Sequence, residues 1–254
     1  MMMPFNRKSS VLVLLASLLA AGPGCTLVPQ IPDTVPDFEA ATFSNPTQID
    51  NNFLPLEPAT VRTYRAETAD GTERTVVEVL DETKVVYGVT VRVVRDRVYL
   101  NDVLVEDTHD WFAQDDDGNV WYMGEEVDNY EYDVDGNPLP LNHDGAWEAG
   151  KDVAGVGEIA RPGHVMKASP MVGDLYHQEY YPGEAEDMGE VVALNVSVTL
   201  ADGTTYTGCL QTRDFTRLEP GVAEHKYYAP GIGLVVEEKV GGGERAELVS
   251  ISMP

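Results

Sequence analysis

Cysteine and basic side chains are the scarce components of this 254-residue chain. Two cysteines, Cys25 and Cys209, leave room for one disulfide at most. Lys and Arg number 17 against 43 Asp and Glu, a formal net charge of −26. So few bases exclude nucleic acid as a partner, because phosphate contacts need a basic surface. They also exclude electrostatic attraction to an anionic membrane. Long apolar runs are missing too: no segment reaches the roughly 20 residues of a spanning helix. There is no Gly-x-Ser-x-Gly elbow, His-Glu-x-x-His helix, P-loop or dinucleotide glycine pattern. What the chain does have is 43% hydrophobic residues and 12 Tyr, enough for a packed core.

The N-terminus reads as an address. Arg7 and Lys8 precede the uncharged run Val11–Ala21, the charged and apolar regions of an export signal over residues 1–24. Cleavage after Gly22 would leave Pro23 first, a poor substrate for ordinary signal peptidase. Processing before Cys25, with Gly24 ahead of it, is the alternative. Residues 25–58 carry Pro29, Pro32, Pro36, Pro46, Pro55 and Pro58 and read as an extended Pro-rich tether. A tether that starts at a cysteine suits a lipid anchor. Acylation of Cys25 is therefore expected ahead of a disulfide or a free thiol. The expected location is the bacterial cell envelope, or outside the cell, with membrane contact only through that anchor. Cys209, inside a strand-like run, is expected to be a small buried side chain.

From residue 59 onward the pattern becomes short alternating runs separated by turn signals. Thr60–Thr68 closes at Ala69-Asp70-Gly71, Val89–Leu100 turns at Asn101-Asp102, and Asp117-Gly118-Asn119 leads into Val120–Met123. Val191–Leu200 and Thr204–Thr212 flank Ala201-Asp202-Gly203, and Gly233–Lys239 and Ala246–Met253 finish the chain. Ala149–Pro170 breaks this rhythm with repeated Gly and Pro and reads as a long irregular loop. Gly183–Val192 is the stretch most open to a short helix. The expected architecture is one all-β domain over 59–254, an antiparallel barrel or strongly curved sheet.

The charge is uneven. Val98–Gly150 contains 15 of the 43 acids, all three Trp and no Lys or Arg. Asp115-Asp116-Asp117-Gly118-Asn119 and Asp133-Val134-Asp135-Gly136-Asn137 resemble calcium loops, since hard cations want several oxygens. Neither fits the EF-hand template: aligning Gly118 puts Ala113 first and Gly124 last, and aligning Gly136 puts Asn142 at the closing Glu. Asp-Gly turns are the simpler reading, with a non-EF calcium site at Asp115, Asp117 and Glu125 beside it. The mixture of aromatics and acids also suits glycan binding, by stacking and by hydrogen bonds to hydroxyls.

Two further clusters carry titratable groups. His177-Gln178-Glu179-Tyr180-Tyr181 is followed by Glu184, and on a regular strand His177 and Glu179 share a face. Glu224-His225-Lys226-Tyr227-Tyr228 places His225 and Tyr227 on one face. Together His177, Glu179, Glu184, His225 and Tyr227 are the candidate hydrolytic centre, provided that the fold brings them together.

Ile49-Asp50-Asn51-Asn52-Phe53-Leu54-Pro55-Leu56, Thr108–Gln114, Gly118–Glu125, Trp147–Gly150, Gln178–Asp187 and Glu219–Gly233 resemble a family of bacterial exported proteins without an established activity. Tyr227–Val235 also resembles the last strands of exported half-barrel lipoprotein-like families. The resemblance implies export and a β fold. The expected function is an exported, lipid-anchored binding or scaffold protein for a small ligand or divalent cation, calcium first. A secreted hydrolase or carbohydrate-active enzyme is the alternative.

Overall fold

Turn chemistry and alternation set the elements of the structure, a computed structural model that describes residues 33–133 and 135–254. The expected export signal and Cys25 lie outside the described residues. The strands are β1 (Val61–Thr68), β2 (Gly71–Val86), β3 (Val89–Leu100), β4 (Val103–Gln114), β5 (Val120–Asn129), β6 (Trp147–Glu148) and β7 (Arg161–Met166). They continue as β8 (Leu175–His177), β9 (Glu179–Tyr180), β10 (Asp187–Thr199), β11 (Thr205–Thr216), β12 (Ala223–Ala229), β13 (Gly233–Lys239) and β14 (Arg245–Ser252). A 3-10 turn at Phe38–Ala40 is the one helical element among the described residues. Gly183–Val192 is not helical: a tight turn bridges Tyr181 to Ala185, and β10 begins at Asp187.

The hydrogen-bonded order is β8-β10-β11-β12-β13-β14-β1-β2-β3-β4-β5-β7-β9, with β6 on the side of β5. All pairs are antiparallel, and the two ends of this path are neighbours in the chain. Leu175–Tyr180 pairs first with β10, Tyr176 opposite Gly189, and then with β7, Glu179 opposite Pro162. Gln178 alone separates the halves, so the sheet curls into a barrel that this one segment nearly seals. Closing a sheet removes the exposed edges that invite aggregation.

Inside and outside follow from the period of two. On β2, Glu73, Thr75, Val77 and Val79 are buried while the residues between them are not. Glu73 and Thr75 already show that this interior is not wholly apolar.

The expected irregular loop contains β7. Pro162 and Gly163 read as breakers in sequence, yet both serve the seam between β7 and Leu175–Tyr180. A Cβ on Gly163 would lie 2.2 Å from the His177 carbonyl oxygen, so only glycine permits this approach. Gly163→Ala should push the seam apart and cost about 2 kcal/mol, as overpacking does. Urea denaturation would measure it, and an unchanged midpoint would mean that the seam yields freely.

The stretch read as a tether differs most. From Thr34 onward it packs on the barrel, with Val35, Phe38, Ile49, Leu54 and Leu56 buried. Phe38 meets Phe43, Tyr87 and Trp121 in ring contacts of 5.3–5.5 Å. Backbone bonds tie Pro46 to Gln114, Thr42 to Asp116 and Asn52 to Gly231. Those partners all lie at one end of the barrel, which this segment plugs. Proline there fixes an irregular path over the opening; it does not hold the chain away from it.

Candidate functional site

The plugged end is apolar. Leu54 and Leu56 from the plug meet Tyr64, Phe112 and Leu234 around a cavity of about 30 Å³. Two buried bases stand at this level, Arg62 and Arg92, and Arg92 donates to the carbonyls of Leu80 and of Thr47 in the plug. Arg62 lines the cavity. Its guanidinium donates to the carbonyls of Ile232 and Pro55, so backbone dipoles hold it.

Toward the other end the interior turns acidic. Asp96 follows Val94 on β3, and Glu106 and Asp110 precede Phe112 on β4, all on the inward phase. Glu125 on β5 stands directly opposite Asp110 in the ladder. Cross-strand partners sit about 5 Å apart at Cβ, too close for two buried anions. Glu179, from the sealing segment, interacts electrostatically with Asp110 and Asp187.

Asp110 and Glu179 are wholly buried, and Asp96 and Glu125 are 1% exposed. Both carboxylate oxygens of Asp96, Glu125 and Glu179 lack a hydrogen-bond partner, as do Asp110 Oδ2 and Asp187 Oδ1. Partners exist for a few atoms only. The Tyr122 hydroxyl donates to Asp110 Oδ1 at 2.6 Å, and Thr108 donates to Glu106 at 3.2 Å. The Trp147 indole N–H lies near enough to favour the Glu179 carboxylate without closing a hydrogen bond. Buried carboxylates with no partner are rare because desolvation costs several kcal/mol.

Their acidities follow. Burial first, then repulsion from Asp110 and Glu73, pushes Glu106 up to about 7. Burial pushes Asp110 up to about 7, with the Tyr122 hydrogen bond acting against it. Asp187 rises to about 7 through burial, although Lys226 draws it down. Burial and neighbouring acids hold Asp96, Glu125 and Glu179 well above the usual carboxylate range.

A second polar group continues around the wall and differs in having a base. Lys226 on β12 lies 3.1 Å from Asp214 and 3.6 Å from Glu237. Gln178 and Thr212 also donate to Asp214. This half has a base and is partly compensated, although Glu237 Oε2 is still without a hydrogen-bond partner and burial raises the pKa of Glu237 and Glu224. No base acts on the Asp110–Glu125–Glu179 half.

The residues singled out from sequence separate. His177 is fully buried, but its Nδ1 meets the Thr34 hydroxyl at 2.8 Å and its backbone N–H donates to the Thr34 carbonyl. Burial, then Arg217, lowers its pKa to about 4, so it stays neutral. His177 and Glu179 do not share surroundings, because Gln178 breaks the strand between them. His225 sits opposite Arg213 and Glu238, and the Tyr227 hydroxyl donates to Glu238. Glu184 lies in the Tyr181–Ala185 turn. No hydrogen bond, ion pair or ring contact among the described residues joins His177, Glu179 and His225, so the expected hydrolytic constellation is not assembled.

The calcium triad is scattered as well. Asp115 spends both oxygens on Asn119 and the Trp121 indole, which makes it the anchor of a turn. Asp117 is exposed at the tip of that turn. Glu125 pairs with Asp110, five residues back along the hairpin from Asp115, about 16 Å at strand rise. Among the described residues no three His, Cys, Asp or Glu side chains are placed to hold one metal ion. Cys209 is fully buried with a free thiol, as its strand context suggested.

Of the earlier candidates, then, Glu125 and Glu179 stand in the acidic interior. Asp96, Glu106 and Asp110 were missed. Their signal was phase: each sits where strand alternation demands an inward side chain.

No protein-family model and no curated protein matches the chain. Among solved structures it is similar to a Parabacteroides distasonis ATCC 8503 protein provisionally named a lipoprotein. That likeness covers 80% of this chain and 99% of the other, at 13% identity and a TM-score of 0.39.

Proposed function

We propose that this chain is an exported, lipid-anchored binding protein whose barrel interior takes a small organic cation among Asp110, Glu125 and Glu179. The observation that carries the reading is Glu125: a buried carboxylate facing Asp110 and near Glu179, with no base beside it and only the Tyr122 hydroxyl, already donated to Asp110, close enough to favour its charged form. A positive ligand would supply the missing donors and the missing charge together. The aromatic walls agree with that chemistry. Tyr122 stacks on Phe112 at 5.0 Å and meets Trp147 edge-on at 5.3 Å, and aromatic faces attract cations. The spacing of the acids favours an amine with several N–H donors over a bare ion, because no three of these side chains converge on one point. Export and the anchor at Cys25 rest on the N-terminal sequence.

Thermal melting at pH 7.5 with putrescine, spermidine or calcium chloride tests this. A ligand at a hundredfold its dissociation constant adds about 2.7 kcal/mol, several degrees in Tm for a chain of this size. Spermidine or putrescine should raise Tm by that much, and Glu125→Gln with Glu179→Gln should abolish the rise. A shift with calcium alone would make the occupant a metal ion, and no shift with any of the three would remove the binding reading.

A further inference from the structure

The outer face where the described chain begins is unusually apolar. Met171 and Val172 are 64% and 62% exposed, and Leu175, Val192 and Leu194 are exposed beside them. The ladder explains their proximity. Leu175 pairs with Glu190, and backbone bonds from Gly173 and Asp174 to Val191 set the Met171–Asp174 turn against β10. The β10 register slips between Val191 and Ala193 and again before Val196, and in this irregular stretch Val192 and Leu194 are both exposed, beside Leu175 and the Met171-Val172 turn. The acids at its rim are neutralised one by one: Asp174 pairs with Lys167 at 2.9 Å, and Glu190 with Arg213 at 2.7 Å.

Thr34 is docked on His177, through both backbone and side chain, and Leu175 is two residues from His177 on the same strand phase, about 7 Å away. The chain thus enters the fold beside this apolar face. From Cys25 to Thr34 there are nine residue steps, at most about 30 Å fully extended. A lipid at Cys25 holds the His177 seam within that distance of the bilayer.

We infer that the Met171–Leu194 face rests on the membrane, its occupant being the lipid surface itself. This rests on the lipid-anchor reading of Cys25. An apolar patch whose nearby acids are paired, tethered at its own edge, adds a second and weaker contact to that of the lipid anchor. The acidic remainder of the barrel then faces away from the surface.

The test uses the full acylated chain on phosphatidylcholine vesicles, with an environment-sensitive fluorophore at Met171→Cys or at Val85→Cys. Val85 is 66% exposed and equally apolar, but it sits on β2, across the barrel from β8. Cys209 is fully buried and does not compete for label. On vesicles, iodide quenching at position 171 should fall at least fivefold relative to position 85, with a blue-shifted emission. Retention on vesicles with both probes equally quenched would overturn the docking face alone. Release from vesicles would overturn the anchor and this inference with it. Equal protection of position 171 in detergent-free protein without vesicles would assign the face to a second copy of the chain.

Discussion

The unliganded barrel should be most stable in mild acid and should lose stability as the pH rises from about 4 to 8. Glu106, Asp110 and Asp187 titrate near 7 in the folded protein, and Asp96, Glu125 and Glu179 higher still. In an unfolded chain the same carboxyls release their protons near 4. Between those values the folded state binds more protons than the unfolded one, so each rise in pH favours unfolding. The loss begins where the unfolded carboxyls ionise. It is complete above about 7 for the first three groups and later for the rest. One group displaced by about three pH units is worth about 4 kcal/mol, and interacting groups do not add simply. A fall in Tm of more than about 10 °C between pH 5 and pH 8 is expected. Glu125→Gln removes one titrating group without changing shape and should flatten the profile. Melting curves at half-unit intervals decide the matter; a profile that is level or climbs toward pH 8 would show that these carboxyls are ionised and compensated.

This profile gives the proposed ligand a measurable signature. A cation and a proton compete for the same oxygens, so spermidine should stabilise strongly at pH 7.5 and weakly at pH 5. A charged guest that bound elsewhere would show no such crossover.

How much of this could be read in advance differs between fold and site. Asp117-Gly118-Asn119, Asn101-Asp102 and Ala201-Asp202-Gly203 turn the chain through local conformational preference, and hairpins need nothing more. The barrel was therefore visible in the order of its turns. Closure was not, because it depends on Gly163 admitting the His177 carbonyl and on a single segment dividing its pairing between β10 and β7. Neither fact is local. The plug was misread for a related reason: proline reports a fixed φ, not whether Phe38 and Leu54 find a cavity to fill. The site fared similarly. Val98–Gly150 pointed toward Glu106, Asp110 and Glu125, but counting acids there gave equal weight to Asp115 and Asp117, which serve a turn. Glu179 was chosen for its neighbour His177, whereas its real company is Asp110 and Asp187 from distant strands. Residue type without phase finds acids; phase separates those that water solvates from those the barrel must accommodate.

Lys226→Met should be among the most damaging single substitutions in the molecule, costing about 3–5 kcal/mol. Burial by itself would lower the lysine pKa, but Asp214 and Glu237 more than reverse that and hold it well above its ordinary value. The ammonium is thus charged and serves two buried acids, Asp214 at 3.1 Å and Glu237 at 3.6 Å. Methionine fills the same space and leaves those acids without a counter-charge. Much of the cost is their desolvation, so Lys226→Met with Asp214→Asn and Glu237→Gln should recover most of the lost stability. Urea midpoints of the single and triple variants measure this. A single variant within about 1 kcal/mol of the parent would show that protons, not Lys226, neutralise this half. The contrast locates function. One wall of the barrel carries a lysine among its acids; no base acts on Asp110, Glu125 or Glu179, because Arg92 on the strand beside them spends its guanidinium on the Leu80 and Thr47 carbonyls. A fold that can place a lysine inside, and does so only on one side, leaves the other side's positive charge to arrive from solution.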